Sequence, residues 1–232
     1  MRMQTAKLRA FLKPHNFEFT FAEGPMETKA HDPAVAKRFG GPFYSWYDVI
    51  HDGGEQMEYG SALLDEAVTF SYSGAREAMA QLESRIEADG GYDALLGFSQ
   101  GGILITMLTA QRLRRARAGL GPPPSWGCNI LVCSMPVRAN DLAEELGLEA
   151  SGRGGSPPLD FPCVIAQGLK DPFYEWCRRT EGTYAAPSMV TYDEGHRFPH
   201  AAPSTRELAD AIVLAHEEAG RRAQQMSQEV TA

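Results

Sequence analysis

The sequence predicts an α/β fold, a mostly parallel sheet with helices on both faces. Two observations lead there, and a third locates the chemistry. Short apolar runs of strand length alternate with segments of helical periodicity along most of the chain. The stretch DALLGFSQGG (93–102) passes from an apolar run through a glycine-flanked serine straight into a helix. Two later apolar runs, FPCVIAQG and SMVTYDEG, lead directly into Leu169-Lys170-Asp171-Pro172 and His196-Arg197-Phe198-Pro199.

Taken in order, Lys7 to Lys13 reads as the last turns of a helix that Pro14 helps to stop. Alternation in NFEFTFA (Asn16 to Ala22) places Phe17, Phe19 and Phe21 on one face of a strand. From Glu23 to about Tyr72 the pattern is irregular, rich in Gly, Pro, His and Asp. Irregular segments of that length are binding loops, lids or disorder; the aromatic cluster Phe43, Tyr44, Trp46 and Tyr47 counts against disorder. Met79, Leu82 and Ile86 define a helix over 76–87 that Gly90-Gly91 ends. A strand over 92–96 precedes the glycine turn, and a helix over 103–118 follows it, apolar at first and basic at its end. Further strands are expected at 127–133, 161–167 and 189–192. Helices are expected at 140–146 and from Ser204 to about Arg222, and SGRGGSPP (151–158) is a loop by composition. One domain over 1–222, with 23–72 as its long loop or lid, then leads into a polar tail at 223–232. No internal repeat interrupts this order.

With 232 residues and 43% hydrophobic content, the chain can bury one large core without a second domain. A formal charge of −8 and a pI near 5.3 argue against nucleic acid or anionic membrane as the main partner. Nowhere does the apolar content reach a bilayer-spanning run, and the first residues lack the apolar stretch and cleavage site of a secretory signal. Cys128, Cys133, Cys163 and Cys177 show no CxxC spacing, and three lie in or beside apolar strands. They are read as reduced thiols of a cytoplasmic protein.

Gly97-Phe98-Ser99-Gln100-Gly101 fits G-x-S-x-G, a pattern so loose that chance supplies it in about one such sequence in ten. Its context adds more: a strand, a tight turn and a helix are what a nucleophile elbow requires. The turn strains the backbone, so Gly97 and Gly101 avoid clashes, and the helix N-terminus favours developing negative charge. A serine hydroxyl needs a base, and the base needs an orienting acid. Asp171 and His196 follow in the order Ser, Asp, His found in α/β-hydrolases, each leaving the carboxyl end of a later strand. Ser99, Asp171 and His196 are therefore the expected triad. His200 belongs to the approach to the last helix, Asp193 is too near His196 to orient it, and Asp160 precedes its strand. His31-Asp32 and His51-Asp52 lack a third partner at ligand spacing and read as solvated side chains, so no metal is expected. The run Arg112, Arg114, Arg115 and Arg117 reads as a solvated helix end, with docking of an acidic carrier protein as the rival. Phe43, Tyr44, Trp46 and Tyr47 are either satellite core or the wall of an acyl pocket.

FEFTFAEGP, GPFYSWYD, GFSQGG, QGLKDP and GHRFP together resemble the FSH-type family of small fungal serine hydrolases, from about Lys7 to the final helix. Within that family the chain is most similar to thioesterases that release polyketides, of the lovastatin-pathway type. The resemblance implies an α/β-hydrolase that cleaves an ester or thioester with no cofactor. The substrate is then an acyl ester or thioester, and the acyl carrier domain of a polyketide synthase is the implied partner. It also implies the backbone N–H of Gln100 as an oxyanion donor, and a substrate pocket drawn from Phe43, Tyr44, Trp46, Phe98 and Phe198. Short-chain esterases share these motifs, and a catalytically impaired acyl-binding relative is a further alternative. Family members begin with a strand ending in a His-Gly-type loop, which supplies the second oxyanion donor. This sequence begins inside the helix after it, so the expected fold lacks that first strand and a neighbouring strand is left with unpaired backbone groups. Losing one such donor typically costs about 2.7–4 kcal/mol. An internal start in the gene model, a crippled paralogue or a hole built from another segment such as Gly40-Gly41 would each account for it.

Overall fold

The computed structural model describes residues 1–30, 36–37, 40–54, 56–148 and 156–231. Helix α1 (Ala6–Leu12) closes in a short 3-10 turn over Lys13–His15 with Pro14 inside it, and Asn16 then adopts a left-handed conformation. Leu8 and Leu12 are its buried positions, one helical turn apart.

The expected strand at Asn16–Ala22 does not form. Phe17 and Phe19 pack towards the core while Glu18 and Thr20 face out, so the alternation is present. No ladder includes this segment: a cavity of about 590 Å³ separates Phe17–Ala22 from the nearest strand, Ala94–Phe98. Alternation sets which side chains face in, but a strand also needs a hydrogen-bonding neighbour.

The span expected to be irregular is more ordered than its composition suggests. Strands β1 (Met26–Thr28) and β2 (Phe43–Ser45) pair antiparallel. Strand β3 (Asp48–His51) pairs antiparallel with β4 (Phe70–Ser73), and a short helix α2 (Tyr59–Leu64) lies between them. Asp52, expected to be solvated, accepts from the Thr69 N–H at 2.9 Å and the Thr69 hydroxyl at 2.6 Å, closing the open end of the β3–β4 pair. His31 and Asp32 lie outside the described residues.

The rest follows the expected order. Helix α3 (Ala75–Ala88) leads to β5 (Ala94–Phe98), α4 (Gln100–Arg117), β6 (Cys128–Val132) and α5 (Asn140–Leu146). The chain continues with β7 (Cys163–Gly168), α6 (Tyr174–Arg178), β8 (Ser188–Tyr192) and α7 (Ala202–Thr231). Helix α7 thus runs through most of the expected polar tail. Of the expected loop 151–158, residues 151–155 lie outside the described residues.

Strands β5, β6, β7 and β8 form one parallel sheet in that order. The two inner strands are buried at every position, as a parallel sheet covered on both faces demands. On one face Leu95, Leu131 and Ile165 pack against α3, α4 and α5. On the other, Ile130, Val132, Val164 and Val190 pack against α1 and α7. Strand β5 is an edge of this sheet, and the cavity runs along its free side. The expected unpaired edge is therefore found at β5. Among the described residues no helix is long and apolar enough to cross a membrane.

Candidate active site

Ser99 stands between β5 and α4 with φ 50 and ψ −118, a left-handed backbone that costs a non-glycine residue about 1–3 kcal/mol. The close approach of strand and helix explains the glycines around it. A Cβ on Gly97 would come within 2.5 Å of the Gly101 backbone, and one on Gly102 within 2.6 Å of the Ser134 hydroxyl. Gly97 and Gly102 are thus the residues this approach requires to be small. A Cβ on Gly101 would meet only the Trp46 indole at 3.6 Å, an ordinary contact, so the clash expected at Gly101 is not found.

The sheet ladder extends one residue beyond its strands at this edge. The Ser99 N–H donates to the Val132 carbonyl at 2.9 Å, and the Cys133 N–H donates to that of Ala166 at 2.9 Å. The Leu169 N–H donates to the Tyr192 carbonyl at 2.8 Å. Four neighbouring strand ends therefore present Ser99, Cys133, Asp171 and His196 along one rim. The loops carrying Asp171 and His196 meet at Gly168, where a Cβ would come within 2.4 Å of the Glu194 carbonyl oxygen. The Lys170 N–H then donates to that carbonyl at 2.9 Å.

The three residues expected to act together are brought together. His196 Nε2 lies 3.1 Å from Ser99 Oγ, and His196 Nδ1 lies 2.7 Å from Asp171 Oδ2. The Phe173 N–H donates to Asp171 Oδ1 at 2.8 Å. Burial of Asp171 would raise its carboxyl. The hydrogen bond and charge of His196, the Phe173 N–H and the Cys133 thiol outweigh this and hold it below the ordinary carboxylate value. The imidazole is fixed by rings as well: Phe98 lies 4.9 Å from it and Phe173 meets it edge-on at 5.7 Å. With Nδ1 committed to the carboxylate, Nε2 is left to exchange a proton with the serine hydroxyl.

Cys133 is the residue at this rim that sequence reasoning passes over as a buried thiol. It carries a positive φ of 48, and its Sγ lies 3.2 Å from the Tyr192 hydroxyl. Burial pushes its thiol up to about 11, so it remains S–H at neutral pH. Cys133, Asp171 and His196 place one donor atom each within 4.8 Å of one another, a spacing a cation could use. The 2.7 Å hydrogen bond between the last two already occupies that space.

The expected pocket residues separate. Trp46 and Phe98 line the cavity beside β5, which reaches the turn through Gly97 and Gly101. Phe43 and Tyr44 lie on β2 and do not line it, Tyr44 being 42% exposed. Phe198 is core rather than pocket wall: it is 3% exposed and stacks on Phe98 at 5.5 Å. The Gln100 side chain, for which only a backbone role was expected, bonds to the segment joining β2 and β3. Its Oε1 accepts from the Trp46 N–H at 2.9 Å, and its Nε2 donates to the Tyr47 carbonyl at 2.8 Å.

The rivals fall elsewhere. The His200 N–H donates to Glu194, Asp193 pairs with Lys170 at 2.8 Å, and Asp160 pairs with Arg222 at 2.9 Å. Arg112 is no part of a solvated run; it is buried and paired with Glu83 and Glu87.

The chain matches the family described as "Serine hydrolase (FSH1)" over residues 1–208. It is similar to the probable esterase azaC of Aspergillus niger, 25% identical over 223 residues that cover 94% of this chain and 80% of that protein. It is also similar to hydrolase phiM of Talaromyces stipitatus, 24% identical over 205 residues covering 86% and 75%. Among solved structures, acyl-protein thioesterase 2 of Zea mays aligns with a TM-score of 0.47 at 16% identity, covering 77% of this chain and 75% of that one. The chain belongs to the FSH1 serine hydrolase family, and it is a hydrolase with an α/β fold.

Proposed function

We propose that this FSH1 family member hydrolyses an acyl ester or thioester through an acyl-serine intermediate, with Ser99 as nucleophile, His196 as base and Asp171 as orienting acid. The observation that carries the reading is the pair of hydrogen bonds in series, 3.1 Å from Ser99 to His196 and 2.7 Å from His196 to Asp171. His196 Nε2 takes the hydroxyl proton as Ser99 Oγ attacks the acyl carbonyl. The Gln100 N–H, at the start of α4, donates to the oxyanion of the tetrahedral intermediate. His196 then gives its proton to the departing alcohol or thiol. It next activates water, which releases the acid and restores the hydroxyl.

The finer role we propose is release of a polyketide or similar acyl chain from a carrier domain, in fungal secondary metabolism. Its support is the sequence resemblance and the fungal source of the two relatives. A cytoplasmic site of action is supported by four buried, unpaired thiols. Fluorophosphonate labelling tests the core of the reading: we expect covalent modification that is abolished in Ser99→Ala. Folded protein that resists the probe and leaves p-nitrophenyl esters intact would overturn it in favour of an acyl-binding relative. Faster turnover of an acyl-carrier thioester than of simple esters supports the carrier role, and the reverse makes the protein a general esterase.

A further inference from the structure

We propose that Gln100 is also a positioning residue: its side-chain amide holds Trp46 against the serine turn and through Trp46 sets which acyl groups are accepted. This rests on the hydrolase reading above and adds the determinant of acyl selectivity. Gln100 Oε1 accepts from the Trp46 N–H at 2.9 Å while Nε2 donates to the Tyr47 carbonyl at 2.8 Å. One side chain therefore supplies a donor and an acceptor to the main chain of two adjacent residues, standing in for a strand neighbour. The segment it grips is the dipeptide that joins β2 to β3, so both small antiparallel pairs are referenced to the residue after Ser99.

The rest of the dipeptide is built for a fixed position. Tyr47 is 1% exposed, with its ring 4.8 Å from that of Tyr72. A Cβ on Gly24 would come within 2.3 Å of the Ser45 carbonyl oxygen, so the chain before β1 also closes on this point. With Tyr47 inward, Trp46 turns towards the turn: its indole Nε1 lies 3.6 Å from the place a Gly101 Cβ would occupy. Trp46, Phe98 and Gly101 share the cavity that ends at the turn. In this proposal the acyl group of an ester attacked by Ser99 extends from the turn towards Trp46, and long chains meet more of the indole than an acetyl group does.

The test compares kcat/KM for p-nitrophenyl octanoate and p-nitrophenyl acetate in four proteins: the parent, Gln100→Met, Trp46→Ala and the double variant. Methionine keeps the length of the side chain and removes both hydrogen bonds. We expect the octanoate-to-acetate ratio to change by about tenfold in Gln100→Met. Trp46→Ala should shift it in the same direction, and the double variant should show no further change. Gln100→Glu keeps the acceptor for the Trp46 N–H but sets a carboxylate oxygen against the Tyr47 carbonyl, and should shift the ratio at least as far as Gln100→Met. A ratio within twofold of the parent in both folded Gln100 variants, or shifts that multiply in the double variant, would overturn the proposal. Fluorophosphonate labelling of the parent separates the two readings. A parent that is not labelled fails the hydrolase reading itself, whereas a labelled parent with an unchanged ratio fails only the role of Gln100.

Discussion

The closed and open sides of the site are built differently. Asp171 and His196 follow β7 and β8, joined by ladder bonds that continue to the rim, and their loops touch at Gly168. Gln100 follows β5, whose other side borders a cavity of about 590 Å³ instead of a strand. In the proposed mechanism, proton transfer hangs from β7, which is paired on both sides, and from β8. Strand β8 is paired to β7 along its length and forms the other edge of the sheet. The proposed anion stabilisation hangs from the β5 edge, where side chains such as that of Gln100 supply the restraint that a neighbouring strand gives elsewhere. The closed side tolerates little change in backbone contact, and the open side depends on a few polar side chains.

The largest expected effect is at the closed side. Asp171→Asn keeps the shape and loses the carboxylate, and turnover should fall by about 10⁴-fold in a protein that stays folded, with a melting temperature slightly lowered at neutral pH. Ester hydrolysis and a thermal melt on one sample check this, and a loss below tenfold would remove Asp171 from its role. Next comes packing. Ile165→Ala, at a fully buried position of β7, should cost about 2–5 kcal/mol in denaturant unfolding. Phe17→Ala, beside the cavity, should cost less than half of that; equal losses would erase the contrast between the two sides. Gly168→Ala should destabilise by about 1–3 kcal/mol and reduce activity with it, because the new methyl group meets backbone carbonyls.

A smaller effect is the dependence on pH. The Asp171 carboxyl is held below its ordinary value in the folded protein, so the unfolded chain binds the proton more readily. Its contribution to stability is therefore complete above about pH 4 and is lost as pH falls through the lower folded value. Asp171→Asn should melt with a flatter acid limb than the parent, and parallel limbs would remove this contribution. The smallest effect is at Cys133. Cys133→Ser keeps a donor beside Asp171 and should retain turnover within about threefold, whereas Cys133→Ala should lose about tenfold. Equal rates for the two would reduce the thiol to packing.

The order of strands and helices was readable because apolar periodicity and glycine turns are local. Ser99, Asp171 and His196 were readable because each follows a strand whose direction is fixed by the parallel sheet. The strand expected at Asn16–Ala22 was not, since pairing depends on a neighbour far away in sequence. The β1–β4 pairs escaped notice because their strands are three or four residues long. Phe198 was expected in a pocket because GHRFP sits at the rim. Its ring instead turns inward onto Phe98, a direction that composition does not encode. The inward turn of Arg112 and the second role of Gln100 have the same cause: partners 25 and 54 residues away.

The ladder bonds from Ser99 to Val132, Cys133 to Ala166 and Leu169 to Tyr192 bear on how this protein ages. Their amides belong to the sheet, and the sheet is expected among the last parts of the molecule to open. Warming should therefore leave the rate per folded molecule intact up to the melt. Heat inactivation should follow the loss of the whole fold, with no earlier drift as a loop wanders. Lifetime in solution then becomes a property of the sheet, and additives that slow its unfolding should preserve activity in equal measure.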